Sequence, residues 1–394
     1  MKETVKKLLR NHCPNIAPLR KAMSNHKLSE VNRYVMPRED IVAGEASVEA
    51  QREIVKKYAG QWPALVPKLD AKLKDYVGRC AWVKGRTDQD ELRVKVLFAC
   101  FAYGFLPDEY FVYELENKDM KARRSYISDR ELSTFIYEVN DIIDVDVFFD
   151  KFKTYSRYRK YYQRAAIRVE TRGDWEAFKT FAQTHDVFVI KNVLLSKGDS
   201  VEKVVTADTD VGKLFERMVS EGKYIVEECV TQSEPMSKLS LCSVNTVRCI
   251  TFNTDSGIVV GPCFLKSGRG HSFVDNGGKG GILVGIDSNT GKLNTAGYDE
   301  FLTEFFKHPD TGVEFIGYQL PEWDRLMALV KELSAMTPTV KYIGWDFAHT
   351  DNGWIVIEGN GSSQIIGPQI VWKRGFKRDV ENLIGRKIWN SDEG

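Results

Sequence analysis

Apolar residues in the first third of the chain recur at helical spacing. Ser47 precedes a run of helix formers to Tyr58, with Glu49 in the first turn, which predicts a capped helix. Between residues 88 and 103, Leu92, Val94, Val96, Leu97, Cys100 and Phe101 form a broad apolar face, as on a well-buried helix. The pattern breaks at Pro107 and continues into the aromatic-rich stretch FVYELE. From about residue 140 short apolar runs replace it. Strands are predicted at 187–191 (VFVIK), 224–230 (YIVEECV), 243–252, 257–266 and 281–287, with helices at 174–184, 214–220 and 321–336 before, between and after them. Strands mixed with helices, and hairpins near the end, predict an α+β fold rather than a doubly wound sheet. The expected division is a mainly helical domain over 1–135, then two α+β lobes over 136–232 and 233–394.

The most informative pattern lies between Tyr342 and Asn360, YIGWDFAHTDNGWIVIEGN. Two apolar runs flank Asp351-Asn352-Gly353, which is hairpin chemistry. Glu358 and Asn360 are two apart on the second strand, so both side chains leave one face. A three-residue turn over 351–353 would set Thr350 opposite Trp354 and therefore Asp346 opposite Glu358. Two carboxylates and an amide oxygen would then converge among apolar neighbours. Burying two carboxylates together is costly unless a cation compensates, and hard oxygen ligands in small number suit Mg²⁺. The same residues also fit an ordinary hairpin whose acids face solvent. The following GNGSS favours function, because glycine permits a close backbone approach.

Composition narrows the choice by exclusion. The 394 residues are 43% hydrophobic and 28% charged, an ordinary balance for a globular chain. A formal net charge of +1 supplies no long-range field for nucleic acid or an anionic membrane. No run reaches the ~18–20 apolar residues of a membrane span, and the basic start lacks a secretory signal's apolar stretch. Seven scattered cysteines contain no CxxC pair, which argues against zinc and redox motifs and for reduced thiols in a cytoplasmic protein. Neither nucleic-acid binding nor stable membrane insertion is expected.

The metal hairpin resembles that of the ATP-grasp superfamily, in which an aspartate on one strand precedes Glu-x-Asn on the next. SVNTVRCITF (243–252), VDNGGKGGI (274–282) and the hairpin itself resemble one branch, the sugar-transfer-associated ATP-grasp proteins of polysaccharide gene clusters. The resemblance spans roughly residues 140–385. It implies two α+β lobes sandwiching ATP, with Mg²⁺ held by Asp346, Glu358 and Asn360. It further implies Lys191 at the ATP phosphates, with Lys151 as the earlier phosphate lysine. Glu227 and the backbone of Cys229 and Val230 would meet the adenine, and Glu234 the ribose. The loop 192–200 would cover the phosphates, although Gly198 is its only glycine.

Arg248 and Lys266 would stabilise charge during phosphoryl transfer, Arg248 through a planar fork suited to phosphate oxygens and Lys266 where this branch often has arginine. The glycine-rich stretch 268–281 reads as a mobile lid. The activity implied is an amide-forming ligase that works through an acyl-phosphate. Its partners would be a small-molecule carboxylate and an amine, one of them sugar-linked. A kinase stopping at phosphoryl transfer and a non-catalytic nucleotide-binding scaffold are the competing readings.

Overall fold

The computed structural model describes residues 17–193 and 201–389. The chain divides into two compact units, Met1–Ile142 with Gln364–Gly394, and Ile143–Ser363. The described closing stretch 364–389 thus groups with the helical residues rather than with the strands it follows, so the region 233–394 is not one body.

The first unit is helical. Ser47 accepts a hydrogen bond from the Ala50 amide and caps the helix Val48–Gln61. The helix Gln89–Tyr103 ends at Gly104, whose φ of 79° suits glycine, and ten of its residues are buried. Within this unit Gln369 accepts from the Ile127 amide at 2.7 Å and donates to its carbonyl at 3.0 Å. Satisfying both backbone groups of one residue fixes the closing helices onto the N-terminal ones.

The second unit holds two antiparallel sheets. The smaller contains β1 (Ala166–Val169), β2 (Val187–Asn192), β3 (Val201–Val205) and β4 (Tyr224–Glu228), in the order β1-β4-β2-β3. Strand alternation gives it two faces. Phe188, Ile190 and Val226 pack with Phe178 and Phe181 of α2 (Trp175–Thr184) and with Leu214, Phe215 and Met218 of α3 (Val211–Glu221). Val189, Lys191, Ile225 and Glu227 alternate with them. Ile225 belongs to the core of the larger sheet, so this second face turns toward that sheet. Helix α1 (Lys151–Tyr162) precedes β1 and is capped by Asp150, which accepts from the amides of Phe152 and Lys153.

The larger sheet has seven strands in the order β11-β10-β5-β6-β7-β8-β9. These are β5 (Thr246–Thr254), β6 (Gly257–Ser267), β7 (Ile282–Ile286), β8 (Leu293–Tyr298), β9 (Glu304–Phe305), β10 (Tyr342–Thr350) and β11 (Gly353–Asn360). Val247, Cys249, Leu265, Ile343, Trp345 and Phe347 share a core with Leu326, Val330 and Leu333 of α4 (Trp323–Ala335). Trp345 donates its indole hydrogen to Ser334 of that helix at 3.0 Å, which satisfies the one polar atom of a fully buried ring. The alternate residues of β5, β6 and β10 therefore leave the core and carry the candidate chemistry.

Among the described residues no helix is long and apolar enough to cross a membrane.

Candidate active site

Three strands set a row of charges on the face away from α4. Arg248 of β5 stands opposite Asp346 of β10, and Asp346 opposite Glu358 of β11. Arg248 grips Asp346 with a two-pronged pair, Nε–Oδ1 at 2.5 Å and Nη2–Oδ2 at 2.7 Å. Lys266, on the same face of β6, reaches Asp346 Oδ2 at 2.9 Å. Asp346 is only 2% exposed. Burial alone would raise its carboxyl pKa, but the Arg248 and Lys266 charges outweigh it and hold the group well below the usual carboxylate range. Glu358 differs. Its side chain is 39% exposed, and its nearest ionic contact is Arg248 Nη2 at 3.8 Å.

The turn reaches this row by an unexpected route. Thr350 pairs with Gly353 and His349 with Trp354, a register one residue tighter than the three-residue turn predicts. An irregularity between Asp346 and Phe347, where β11 carries the extra Ile357, brings Asp346 back opposite Glu358. Gly344 opens the space beside the row. A β-carbon there would overlap the Ser363 side chain and come within 3.3 Å of Arg248 Cδ. Ser363 instead accepts from Arg248 Nη1 at 2.8 Å.

A second charged group lies on the smaller sheet. Glu227 Oε2 accepts from Lys191 Nζ at 2.8 Å and from Arg164 Nη2 at 3.2 Å. Burial would raise the Glu227 pKa, but the two cations bring it down to about 2. Arg164 also donates to the carbonyls of Val356 (2.7 Å) and Ile357 (3.3 Å) on β11, so one guanidinium spans both sheets. Lys151, at the first turn of α1, donates to the Asn192 carbonyl at 3.2 Å. Burial lowers its pKa, Glu358 opposes that, and Lys191 adds to it. Lys151 thus lies within electrostatic reach of both groups.

Residues 188–384 match the family model for sugar-transfer associated ATP-grasp proteins. The chain belongs to this family. No curated protein sequence matches it. Among solved structures, D-alanyl-alanine synthetase A from Vibrio cholerae is 12% identical over 66% of this chain and 64% of its own, with a TM-score of 0.39. VanG D-Ala:D-Ser ligase from Enterococcus faecalis is 13% identical over 66% and 64%, with a TM-score of 0.40. The ATP-grasp ligase PsnB, complexed with a minimal precursor, is 13% identical over 60% and 61%, with a TM-score of 0.36. The alignment spans less than two thirds of each of these three proteins.

Within this ATP-grasp chain the expected residues fall into two sets. Arg248, Lys266, Asp346 and Glu358 are brought together on the larger sheet, and Lys191 and Glu227 on the smaller, with Lys151 between. Cys229 and Val230 follow the end of β4 and are half-buried; burial pushes the Cys229 thiol pKa up. Glu234 shares no hydrogen bond or ion pair with the other candidates, and its exposed carboxylate pairs with Lys238 at 2.6 Å. Asn360 leaves the same face of β11 as Glu358, and its Oδ1 accepts from the Ser362 amide at 3.0 Å. Residues 194–200 of the expected phosphate loop lie outside the described residues.

The metal expectation divides in the same way. Among the described residues no group of three or more His, Cys, Asp and Glu side chains stands ready for a cation. The compensating cations that burial demands are here Arg248 and Lys266 on Asp346, so burial of the pair does not by itself call for a metal. The donor set itself still fits Mg²⁺. It offers hard oxygens from Asp346, Glu358 and Asn360, and Glu358 is accessible and only loosely paired.

The glycine-rich stretch 268–281 is pinned rather than free. Gly268 donates to Ser243 Oγ at 3.0 Å and accepts from His308 Nε2 at 2.8 Å, and Arg269 pairs with buried Asp299 at 2.8 Å. Asp275 accepts from the amide and hydroxyl of Thr246. His271 is exposed. Sequence reasoning missed Arg164, which follows Gln163 at the α1–β1 junction, and gave no role to Asp275, one of the polar residues of the glycine-rich stretch. The φ of 47° at Gln163 turns the chain so that Arg164 points inward, and no residue pattern announces that turn.

Proposed function

We propose that this chain uses ATP to activate a carboxylate as an acyl-phosphate and then joins it to an amine. The observation that carries the reading is the Arg248–Asp346–Glu358 row with Lys266. Two cations are held rigidly by one buried carboxylate beside a second carboxylate that remains accessible. Such fixed charges stabilise an anionic transfer without reorganising during the reaction. Arg248 and Lys266 would neutralise charge developing on the transferred phosphoryl group, while Lys151 and Lys191 bind ATP phosphates. Glu227 and the backbone of Cys229 and Val230 would receive the adenine, with Glu234 at the ribose.

Mg²⁺ would be held by Asp346, Glu358 and Asn360, and when bound it would supply further positive charge to the phosphates. The substrate carboxylate attacks the γ-phosphorus, ADP leaves, and the amine displaces phosphate to form the amide. The family description supports a sugar-linked substrate, which suggests coupling of an amino acid or amine to a sugar acid during polysaccharide assembly.

The test supplies ATP, Mg²⁺ and hydroxylamine with a panel of amino acids and uronic acids, and quantifies hydroxamate and ADP together. Hydroxamate and ADP formed in equal amounts, and lost in Glu358→Gln, are expected. ADP without hydroxamate would replace the ligase with a kinase. Absence of both with every carboxylate, although ATP binds, would favour a scaffold.

A further inference from the structure

The four carboxylates around the site are not equivalent. Asp346 is held by Arg248 and Lys266, and Glu227 by Lys191 and Arg164, so each is a poor acceptor of a substrate proton. Glu358 lies in the row assigned to the metal. Asp275 has neutral partners: its Oδ2 accepts from the Thr246 amide at 3.0 Å and from the Thr246 hydroxyl at 2.5 Å. Thr246 stands opposite Lys266 in the sheet and two residues before Arg248 on β5, so Asp275 sits one step along the strand from the charged row.

The position is also built. Gly281 lies so close to the Asp275 backbone that a β-carbon there would overlap the Asp275 carbonyl. Asn276 closes the next turn by accepting from the Gly278 amide at 2.9 Å. The anchors at Gly268 and Arg269 hold the other end of the segment. Asp275 itself is partly exposed, with one carboxylate oxygen clamped by Thr246.

We propose that Asp275 is the general base that accepts a proton from the attacking amine in the second half-reaction. The inference rests on the ligase reading above. The ammonium of the amine substrate gives one proton to Asp275. The freed nitrogen pair forms the C–N bond while the acyl C–O bond to phosphate breaks. The second nitrogen proton leaves with the phosphate as hydrogen phosphate, and Asp275 returns its proton to solvent. The charged groups that bear on Asp275 are Lys266 from β6 and Asp346 from β10. Burial pushes its pKa up, Lys266 and the Thr246 hydrogen bonds pull it down, and Asp346 pushes it up again. The balance lies above the ordinary value, which favours proton acceptance.

Hydroxylamine separates this role from a structural one, because it is largely uncharged near neutral pH and needs no base. Wild type and Asp275→Asn are compared on a carboxylate–amine pair that wild type joins, once with the amine and once with hydroxylamine in its place. Asp275→Asn should keep hydroxamate formation within about twofold while amide turnover falls by roughly 10²–10⁴. The lost amide activity should recover as pH rises and the free amine grows. Parallel loss of both products, or unchanged amide turnover, would overturn the base assignment and leave the ligase intact. No hydroxamate from wild type would overturn the ligase reading itself.

Discussion

Replacing Glu227 by glutamine tests the electrostatic organisation of the smaller sheet. The side chain is buried, and its two partners are Lys191 and Arg164. Its pKa falls from an ordinary 4.5 to about 2. At about 1.4 kcal/mol per tenfold change in protonation, the charged form contributes about 3 kcal/mol to stability. A depressed carboxylate contributes fully above its unfolded pKa and loses that contribution as pH falls through its folded one. The stabilisation is therefore complete above about pH 5 and fades toward pH 2. Glutamine keeps the shape and removes the charge, leaving the buried Arg164 and the partly buried Lys191 without their counter-ion, a change that costs about 3–5 kcal/mol. Urea unfolding of wild type and Glu227→Gln at pH 7 should differ by about that amount, and the difference should shrink markedly by pH 3. A gap below 1 kcal/mol at pH 7, or one unchanged at pH 3, would refute the ion-triad account.

Two further substitutions probe the geometry. Gly344→Ala places a methyl group against Ser363 and beside Arg248, and should destabilise the chain by about 1–3 kcal/mol in the same assay. Adding Ser363→Gly should restore part of that loss, and failure to do so would mean the clash lies elsewhere. Lys191→Met should weaken ATP binding by about tenfold or more in titration calorimetry, as expected for a lost charged hydrogen bond. Unchanged affinity would remove Lys191 from the phosphate site.

The fold class was legible because periodicity reports burial, and burial is what distinguishes these elements. Phe188 and Ile190 alternate with Val189 and Lys191 in sequence as they do in space. What the pattern did not carry was the long-range grouping. Gln369 joins the N-terminal helices through Ile127, 242 residues earlier, and no local spacing encodes such a contact. Helix α1 was also missed. Its sequence KFKTYSRYRKYY scatters tyrosines and cations without a clean stripe, although Asp150 before Lys151 is a capping signal that could have been used.

The Tyr342–Asn360 hairpin shows how a correct pairing can follow from an incomplete reason. Asp346 and Glu358 are opposite one another, but only because a shorter turn and an irregularity at Ile357 cancel. Simple counting treats strands as regular, and a one-residue shift would have turned Glu358 away from Asp346. The electrostatic argument was incomplete in the same way. Buried carboxylates do need compensation, but sequence spacing cannot say whether a metal or a neighbouring strand supplies it. Here Arg248 and Lys266, 98 and 80 residues before Asp346, supply it. Glu358 is the acid whose charge this pairing leaves largely uncompensated, and it is also the exposed one. The ability of the row to recruit a divalent cation should therefore depend on Glu358 more than on Asp346, whose first role is to fix Arg248 and Lys266.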